Sequence, residues 1–346
     1  MPQAGPSASQ TDDTPKISVF MASYNGAAYV EETVRSILDQ TWRDLEMVVV
    51  DDGSEAPTLD ILRRLAAADS RMRLVESAHQ GQIGTLNLAL ASCRGTFVAR
   101  IDHDDVAEPD RLARQLAYLE THPDVAAVGS ELAFTDAAGA RVKEKRKDPM
   151  KRLRHAPLAF PPKQVFLSGS TVMARRDLWQ RAGGFRPEFK AAEDRDLCWR
   201  LAALGAVVRL PEALIRYRVH DSNLSLTGRR TQLFSQFLAS LSAIAAELGL
   251  DDAAARGSIV VGGDYRPAIE AYRNLIDKRY PVETYWLYFL ARMRMWSLGG
   301  YADGAALRTA IVAHWRARPF DAARLKTLAT ALRYTRRREA IIAREA

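Results

Sequence analysis

From Lys16 onward, short apolar runs alternate with stretches whose apolar residues recur every three or four positions. "KISVFMASYN" and "LEMVVVDDGS" carry no polar alternation, so each reads as a strand covered on both faces. Between them, Val30, Val34, Ile37 and Leu38 share one side of a helix. The alternation continues. "PTLDILRRLAAADS" is a helix with Pro57 near its start, "MRLVES" a strand and "IGTLNLALASCRG" a helix closed by Gly95. "TFVARIDHDD" is then a strand, "EPDRLARQLAYLETHPD" a helix and "VAAVGSELAFTD" a strand. This order predicts an α/β fold with a mostly parallel sheet, helices on both faces and right-handed crossovers. Ligands of such sheets bind beyond the carboxyl ends of the strands. "SYNG", "DDGS" and "DHDD" each follow an apolar run, which puts three polar clusters on one rim.

Past "MKRLRH" the pattern loosens. "FLSGSTVMARRDLWQRAGGF" reads as a strand and a helix ended by Gly183 and Gly184, and "AAEDRDLCWRLAALG" as a helix ended by Gly205. "AVVRLPEALIRYRVHDSNLS" reads as two short strands. From about Thr231 the spacing and the Ala, Leu and Arg content are helical. The division expected is a disordered leader over 1–14, a catalytic domain over 15–228 and a helical C-terminal extension over 229–346.

Composition adds little to this picture until charge is considered. The 346 residues are 47% hydrophobic and 26% charged, ordinary for a globular chain, and the formal net charge is +7. That balance suits an anionic partner as well as simple solubility. Two cysteines, Cys93 and Cys198, give no disulfide framework. With no basic-then-apolar leader and no run of membrane-spanning length, the expected location is cytoplasmic.

The clusters carry the candidate chemistry. In "IDHDD", extended alternation would put Asp102 and Asp104 on one side, where two carboxylates repel unless a cation intervenes. Oxygen donors without cysteine favour Mg²⁺ or Mn²⁺, with open positions for phosphate oxygens. The structural alternative has Asp105 capping the next helix. In "VVVDDGS", Gly53 permits a sharp turn and Asp52 is an acceptor for a nucleobase N–H. The alternative there is a helix cap with Ser54 as N-cap. In "AAEDRDLCWRL", acids at a helix N-terminus satisfy the dipole, or one of them serves as a general base.

Taken together, "ISVFMASYNGAAYVEETVRSILDQTWRDLEMVVVDDGS", "RIDHDDVAEPDRLARQLAYLETHPDVAAVGS" and "GGFRPEFKAAEDRDLCWRLAALG" resemble, in order and spacing, three segments of the family 2 glycosyltransferases of GT-A fold. The resemblance runs from Ile17 to about Ser225. It implies a Rossmann-like sheet and an inverting, metal-dependent transfer from a nucleotide diphosphate sugar, commonly UDP-linked. Asp52 would contact the base, with Ala22 and Tyr24 beside the nucleoside and Gly81 allowing close approach. Asp102 and His103 would meet the donor. Asp104 would hold the Mn²⁺ or Mg²⁺ with Asp102, and His220 of "YRVHDSNLS" would complete that site. Asp194 would be the base. Two departures stand out: Leu86 replaces an arginine of many relatives, and Gly169 with Ser170 replaces the His-Pro pair of some polysaccharide-making ones.

The expected partners are thus a nucleotide sugar and a saccharide or lipid-linked acceptor, and no nucleic acid. "YPVETYWLYFLARMRMWSL", broken by Arg292 and Arg294, reads as a helix packed on the protein rather than a membrane span. The last stretch sets Leu325, Leu328 and Leu332 in a stripe beside Arg333, Arg336, Arg337 and Arg338. A basic amphipathic helix of this kind suits an anionic membrane surface, which would place the protein at the inner face of the plasma membrane, and equally suits a solvated helix or an oligomer contact. A nucleotidyltransferase would need a Gly-rich, basic loop after the first strand, which "ASYNGAAYVEE" lacks. A nucleotide-sugar-binding protein without turnover is the non-enzymatic alternative.

Overall fold

The computed structural model describes residues 14–142, 151–153, 166–223, 229–259, 265–276, 279, 281–293, 304–317 and 327–333. All of the expected leader except Thr14 lies outside these residues, as do Leu325 and Arg336 to Arg338 of the basic tail.

The chain forms two compact units. The first draws on Met1–Arg154, Phe166–Pro187 and Glu193–Thr227. Its elements alternate as β1 (Ile17–Ser23), α1 (Val30–Leu38), β2 (Leu45–Asp51), α2 (Ala56–Ala68), β3 (Met72–Glu76), α3 (Gln82–Ala91) and β4 (Phe97–Arg100). There follow β5 (Val106–Ala107), α4 (Arg111–Thr121), β6 (Val125–Thr135), β7 (Lys151–Leu153), a 3₁₀ turn (Gly169–Thr171), β8 (Met173–Arg175), α5 (Arg176–Ala182), α6 (Glu193–Leu204) and β9 (Ala206–Arg218). The strand order is β3-β2-β1-β4-β8-β6-β9-β5, with β7 also on β9.

The uniformly apolar runs are explained by two covered faces. Val19, Met21, Met47 and Val49 join Val30, Val34, Ile37 and Leu62 in one core layer. Phe20 points the other way, edge-on to Trp179 at 5.5 Å and to Phe185 at 6.3 Å. Trp179 also donates its indole N–H to the Val98 carbonyl at 3.1 Å.

Two departures from the expected pattern shape the rim. β3, β2, β1 and β4 are parallel, but β8 lies antiparallel between β4 and β6. Gly169 and Ser170, which precede it, therefore start at the rim where β4 ends. The segment expected to form two strands is the single strand β9. Its Pro211 has no N–H for the ladder, and the sheet absorbs it in register shifts opposite Ser130, Glu131 and Leu132. The two-residue strand β5 pairs with Ile215 and Arg216 of β9, carrying the turn after β4 across to the end of β9.

The second unit is helical: Arg229–Glu247, Ala253–Gly257, Arg266–Ile276, Val282–Met293, Gly304–Arg316 and residues 327–333. Tyr285, Trp286 and Phe289 pack on Phe237 at 4.9 to 5.2 Å between ring centres, so these three rings are interior to this unit, while Tyr280 and Arg294 of the same stretch lie outside the described residues. Leu328, from the expected membrane stripe, is 4% exposed. No helix among the described residues is long and apolar enough to cross a membrane. Cys93 and Cys198 are both free and buried.

Candidate active site

The turn after β4 settles where the acids go. Asp105 N–H bonds the Asp102 carbonyl at 3.2 Å, so these residues form a turn and not the extended segment that alternation assumed. The three carboxylates consequently diverge. Asp102 Oδ1 accepts from Arg100 Nε at 2.8 Å. Asp104 Oδ2 lies 3.0 Å from His220 Nε2 and accepts from Asn223 Nδ2 at 3.3 Å. Asp105 is wholly buried and accepts the Arg218 backbone N–H at 3.1 Å, so it does not cap the next helix. Burial, with Asp104 and Asp102 nearby, pushes its carboxyl well above the usual range.

Much of the positive charge these acids require comes from the protein itself. Arg100 is one source. Arg111, fully buried, donates to the Arg100 carbonyl at 2.8 Å and to Gln115 at 3.0 Å. Burial pulls its pKa down to about 9, against the raising effect of Asp105 and Asp102, which leaves it charged at neutral pH. Arg218 donates to the Asp104 carbonyl at 3.1 Å and to Glu32 of α1, and its guanidinium lies 4.8 Å from the Tyr29 ring centre. Thr33 Oγ1 stands 2.9 and 2.8 Å from the carbonyls of His103 and Asp105, pinning the turn to α1.

Arg100 also reaches the start of α6. Its Nη2 donates to Glu193 Oε1 at 3.0 Å. Burial, then opposed by Arg100 and helped by Asp194 and Asp102, raises Glu193 to about 7. Asp194, partly exposed, is raised mainly by burial, with Arg100 and Arg195 pulling it down. Asp102 moves the other way. Burial would raise it, but Arg100 and hydrogen bonds from Ser170 and Arg100 hold it below the usual range. Gly169 is needed here for space: a Cβ would sit 2.7 Å from Arg100 Cζ. A side chain at this position would have to displace the guanidinium.

His220 is oriented from three sides. Its Nδ1 is 2.8 Å from Ser222 Oγ, its ring packs 4.8 Å from that of Tyr29, and its backbone N–H donates to Asn223 Oδ1 at 2.6 Å. That last bond fixes the Asn223 amide so that Nδ2 faces Asp104 and His220. Asp104 Oδ2 and His220 Nε2 are donor types that a divalent ion takes, and here they lie at hydrogen-bond distance from each other, with Asn223 Nδ2 3.3 and 3.2 Å from the two atoms. Adjacent ligands at ~2.1 Å from one octahedral ion stand about 3 Å apart, and these two atoms are 3.0 Å apart. Asp102 is turned to Arg100 and does not complete a triad; no group of three or more His, Cys, Asp or Glu among the described residues is placed to hold a metal.

The third cluster surrounds Asp52, 3% exposed. Its carboxylate accepts the N–H groups of Gln80 at 2.8 Å and Gly81 at 3.0 Å, and His79 Nδ1 lies 3.0 Å away. Gly81 takes φ 82° at the head of α3, with open space where a Cβ would be. Tyr24, 47% exposed, lies 4.6 Å from the His79 ring, giving two tilted aromatic faces beside Asp52. Ala22 sits at the end of β1, partly exposed. The ring of His103 closes on Gly26, where a Cβ would come within 2.6 Å of it. Leu86 is buried, facing the core. Ser54 is no helix cap: its hydroxyl accepts the Asn25 N–H at 2.9 Å.

Thus Asp102, Glu193 and Asp194 gather around Arg100, Asp104 gathers with His220, and Asp52, Gly81 and Tyr24 form a third group. Sequence reasoning passed over Arg100, Arg218, Asn223 and His79, although "RIDHDD", "YRVHDSN" and "HQGQ" contain them. Arg111 had no signal, because nothing local marks an arginine for burial.

Comparison with known proteins gives consistent matches. A family model described as glycosyl transferase family 2 matches residues 18–182. Putative glycosyltransferase EpsE of Bacillus subtilis is 32% identical over 212 residues, 59% of this chain and 73% of EpsE. The O-antigen biosynthesis glycosyltransferase WbnJ of Escherichia coli is 29% identical over 212 residues, covering 60% of this chain and 81% of WbnJ. Among solved structures, S. aureus TarS 1-349 in complex with UDP-GlcNAc superposes with a TM-score of 0.57 at 17% identity, over 93% of this chain and 92% of that one. TarS therefore shares the fold.

Proposed function

The chain belongs to glycosyl transferase family 2, and from that premise we propose that it moves a sugar, with inversion, from a UDP-linked donor to a hydroxyl of a saccharide or lipid-linked acceptor. The product would be a cell-surface polysaccharide or glycolipid, in keeping with the O-antigen role in the name of WbnJ. The observation that carries the reading is one turn with two chemically different ends. Asp104 meets His220 on one side, and Asp102 is tied through Arg100 to the Glu193–Asp194 helix start on the other.

In this reading Asp52, Gly81 and the Tyr24–His79 ring pair receive the nucleobase. Asp52 already takes two backbone donors, and with Gly81 and His79 both on Oδ2 it is Oδ1, met only by Gln80, that has a further lone pair for a base N–H. Ala22 and His103 border the nucleoside and its diphosphate. Asp104 Oδ2 and His220 Nε2 would hold Mn²⁺ or Mg²⁺. When bound, that ion supplies positive charge against the diphosphate as it departs. Asp194 takes the proton of the acceptor hydroxyl, the oxygen attacks the anomeric carbon, and the bond from that carbon to the diphosphate breaks on the opposite face. A carboxyl raised by burial is a better proton acceptor near neutral pH than an exposed one, which suits Asp194.

The deciding experiment is Asp194→Asn with donor binding measured in parallel. Transfer should fall by about 10² to 10⁴ while UDP-sugar affinity persists. Unchanged transfer would remove Asp194 from the base role. A lipid-linked acceptor also calls for the basic C-terminal segment to meet an anionic membrane. Full-length protein should float with anionic liposomes more than a chain ending at Ala317, and equal flotation rejects that role.

A further inference from the structure

Arg100 is 3% exposed and enclosed on four sides. Asp102 and Glu193 take two of its donors at 2.8 and 3.0 Å. The Phe185 ring centre lies 5.4 Å from its Cζ, and Gly169 stands where any side chain would collide with it. Its carbonyl is held in turn by Arg111. A guanidinium is suited to this place because its planar fork reaches two carboxylates at once, whereas an ammonium is a point charge. Two of its donors are committed, Nη1 is buried with no hydrogen-bond partner among the described residues, and at 3% exposure the guanidinium is turned to its two carboxylates rather than to solvent.

We propose that Arg100 is a positioning residue, a fixed buried cation that locks the Asp102 turn to the first turn of α6 and keeps Asp194 placed and ionised as the base. The inference rests on the assignment of Asp194 above. The charged and titratable groups that act on Asp194 are Arg100 and Asp102 at the end of β4, and Glu193, Arg195 and Cys198 on α6 itself. Two cations thus oppose two acids and a buried setting, and burial prevails, so the carboxyl stands above its usual range. Arg195 lies on the helix and stacks 4.2 Å from the Phe166 ring centre, so Arg100 is the cation that couples the base to the turn.

The test is the acid limb of kcat/KM against pH, which follows ionisation of the free enzyme's base. A cation lowers a neighbouring carboxyl's pKa, so its loss raises it. In Arg100→Met the limb should move up by about one pH unit or more, with kcat reduced and donor KM unchanged. Arg100→Lys keeps the charge and loses the fork, so its limb should stay near the wild-type position while kcat falls. Arg100→Met with an unmoved limb, or Arg100→Lys shifted as far as Arg100→Met, overturns the proposal. Should Arg100→Met fail to fold, Arg100→Gln is the neutral variant read in its place, and an unmoved limb in it rejects the proposal. Asp194→Asn separates the two levels: if it retains transfer, the base assignment has failed; if it abolishes transfer and the limbs do not move, only the role of Arg100 has.

Discussion

At the scale of residues, the site depends on side chains whose identity is set by a neighbour. Gly169 is such a case, because its α-hydrogen faces Arg100 at a distance no Cβ tolerates. Gly169→Ala should cost about 1 to 3 kcal/mol in urea unfolding and lower kcat/KM together, since the guanidinium must shift to make room. His220 is another. Its ring is met by Ser222 at Nδ1, by Asn223 Nδ2 at Nε2 and by the Tyr29 ring, with Nε2 facing Asp104. His220→Ala should weaken Mn²⁺ binding, measured by titration with UDP present, by at least the roughly 10-fold typical of disturbing groups around a metal. Retained affinity would take His220 out of the metal site.

At the scale of elements, the antiparallel strand β8 and the long strand β9 build the rim. β8 delivers Gly169 and Ser170 to the end of β4, and β9 delivers Arg218 and His220 to the turn that follows β4. The parallel half depends on close approach as well. Gly95 ends the loop between α3 and β4, where a Cβ would stand 2.5 Å from the Ser18 nitrogen and 2.8 Å from the Ile17 carbonyl carbon. Backbone atoms in a paired strand cannot give way as a flexible side chain does. Gly95→Ala should therefore lower the urea midpoint by the equivalent of about 1 to 3 kcal/mol with the m-value unchanged. Full stability in that variant would mean that β1 moves more freely than its pairing on both sides suggests.

At the scale of the whole molecule, the net charge of +7 and the acid-rich rim act in different places. Inside the sheet unit, Arg100 pairs with Asp102, Arg111 donates to the Arg100 carbonyl, and Arg218 donates to the Asp104 carbonyl and pairs with Glu32. Binding of a nucleotide sugar with its metal should stabilise the folded protein by mass action, by about 2.7 kcal/mol at a ligand concentration 100 times Kd. A thermal melt should rise with UDP-sugar and Mn²⁺ together and fall back with EDTA. A rise with donor that ignores EDTA would assign the diphosphate to protein groups alone.

Local order and chemistry class were determined by the sequence itself. Runs such as "ISVFMAS" and "LEMVVVD" can only be strands with both faces covered, and burying them puts the polar residues that follow onto a common rim. The order and spacing of the three acidic segments pointed to the family for the same reason, since they mark the ends of consecutive elements. Tertiary structure decided the partners. Extended alternation set Asp102 beside Asp104, but the turn at Asp102–Asp105 sends one to Arg100 and the other to His220, 116 positions along the chain. Which cation neutralises which acid depends on contacts between distant segments. Arg100, Arg111 and Arg218 look like ordinary surface arginines until the sheet closes around them, because only burial makes a charge require its partner.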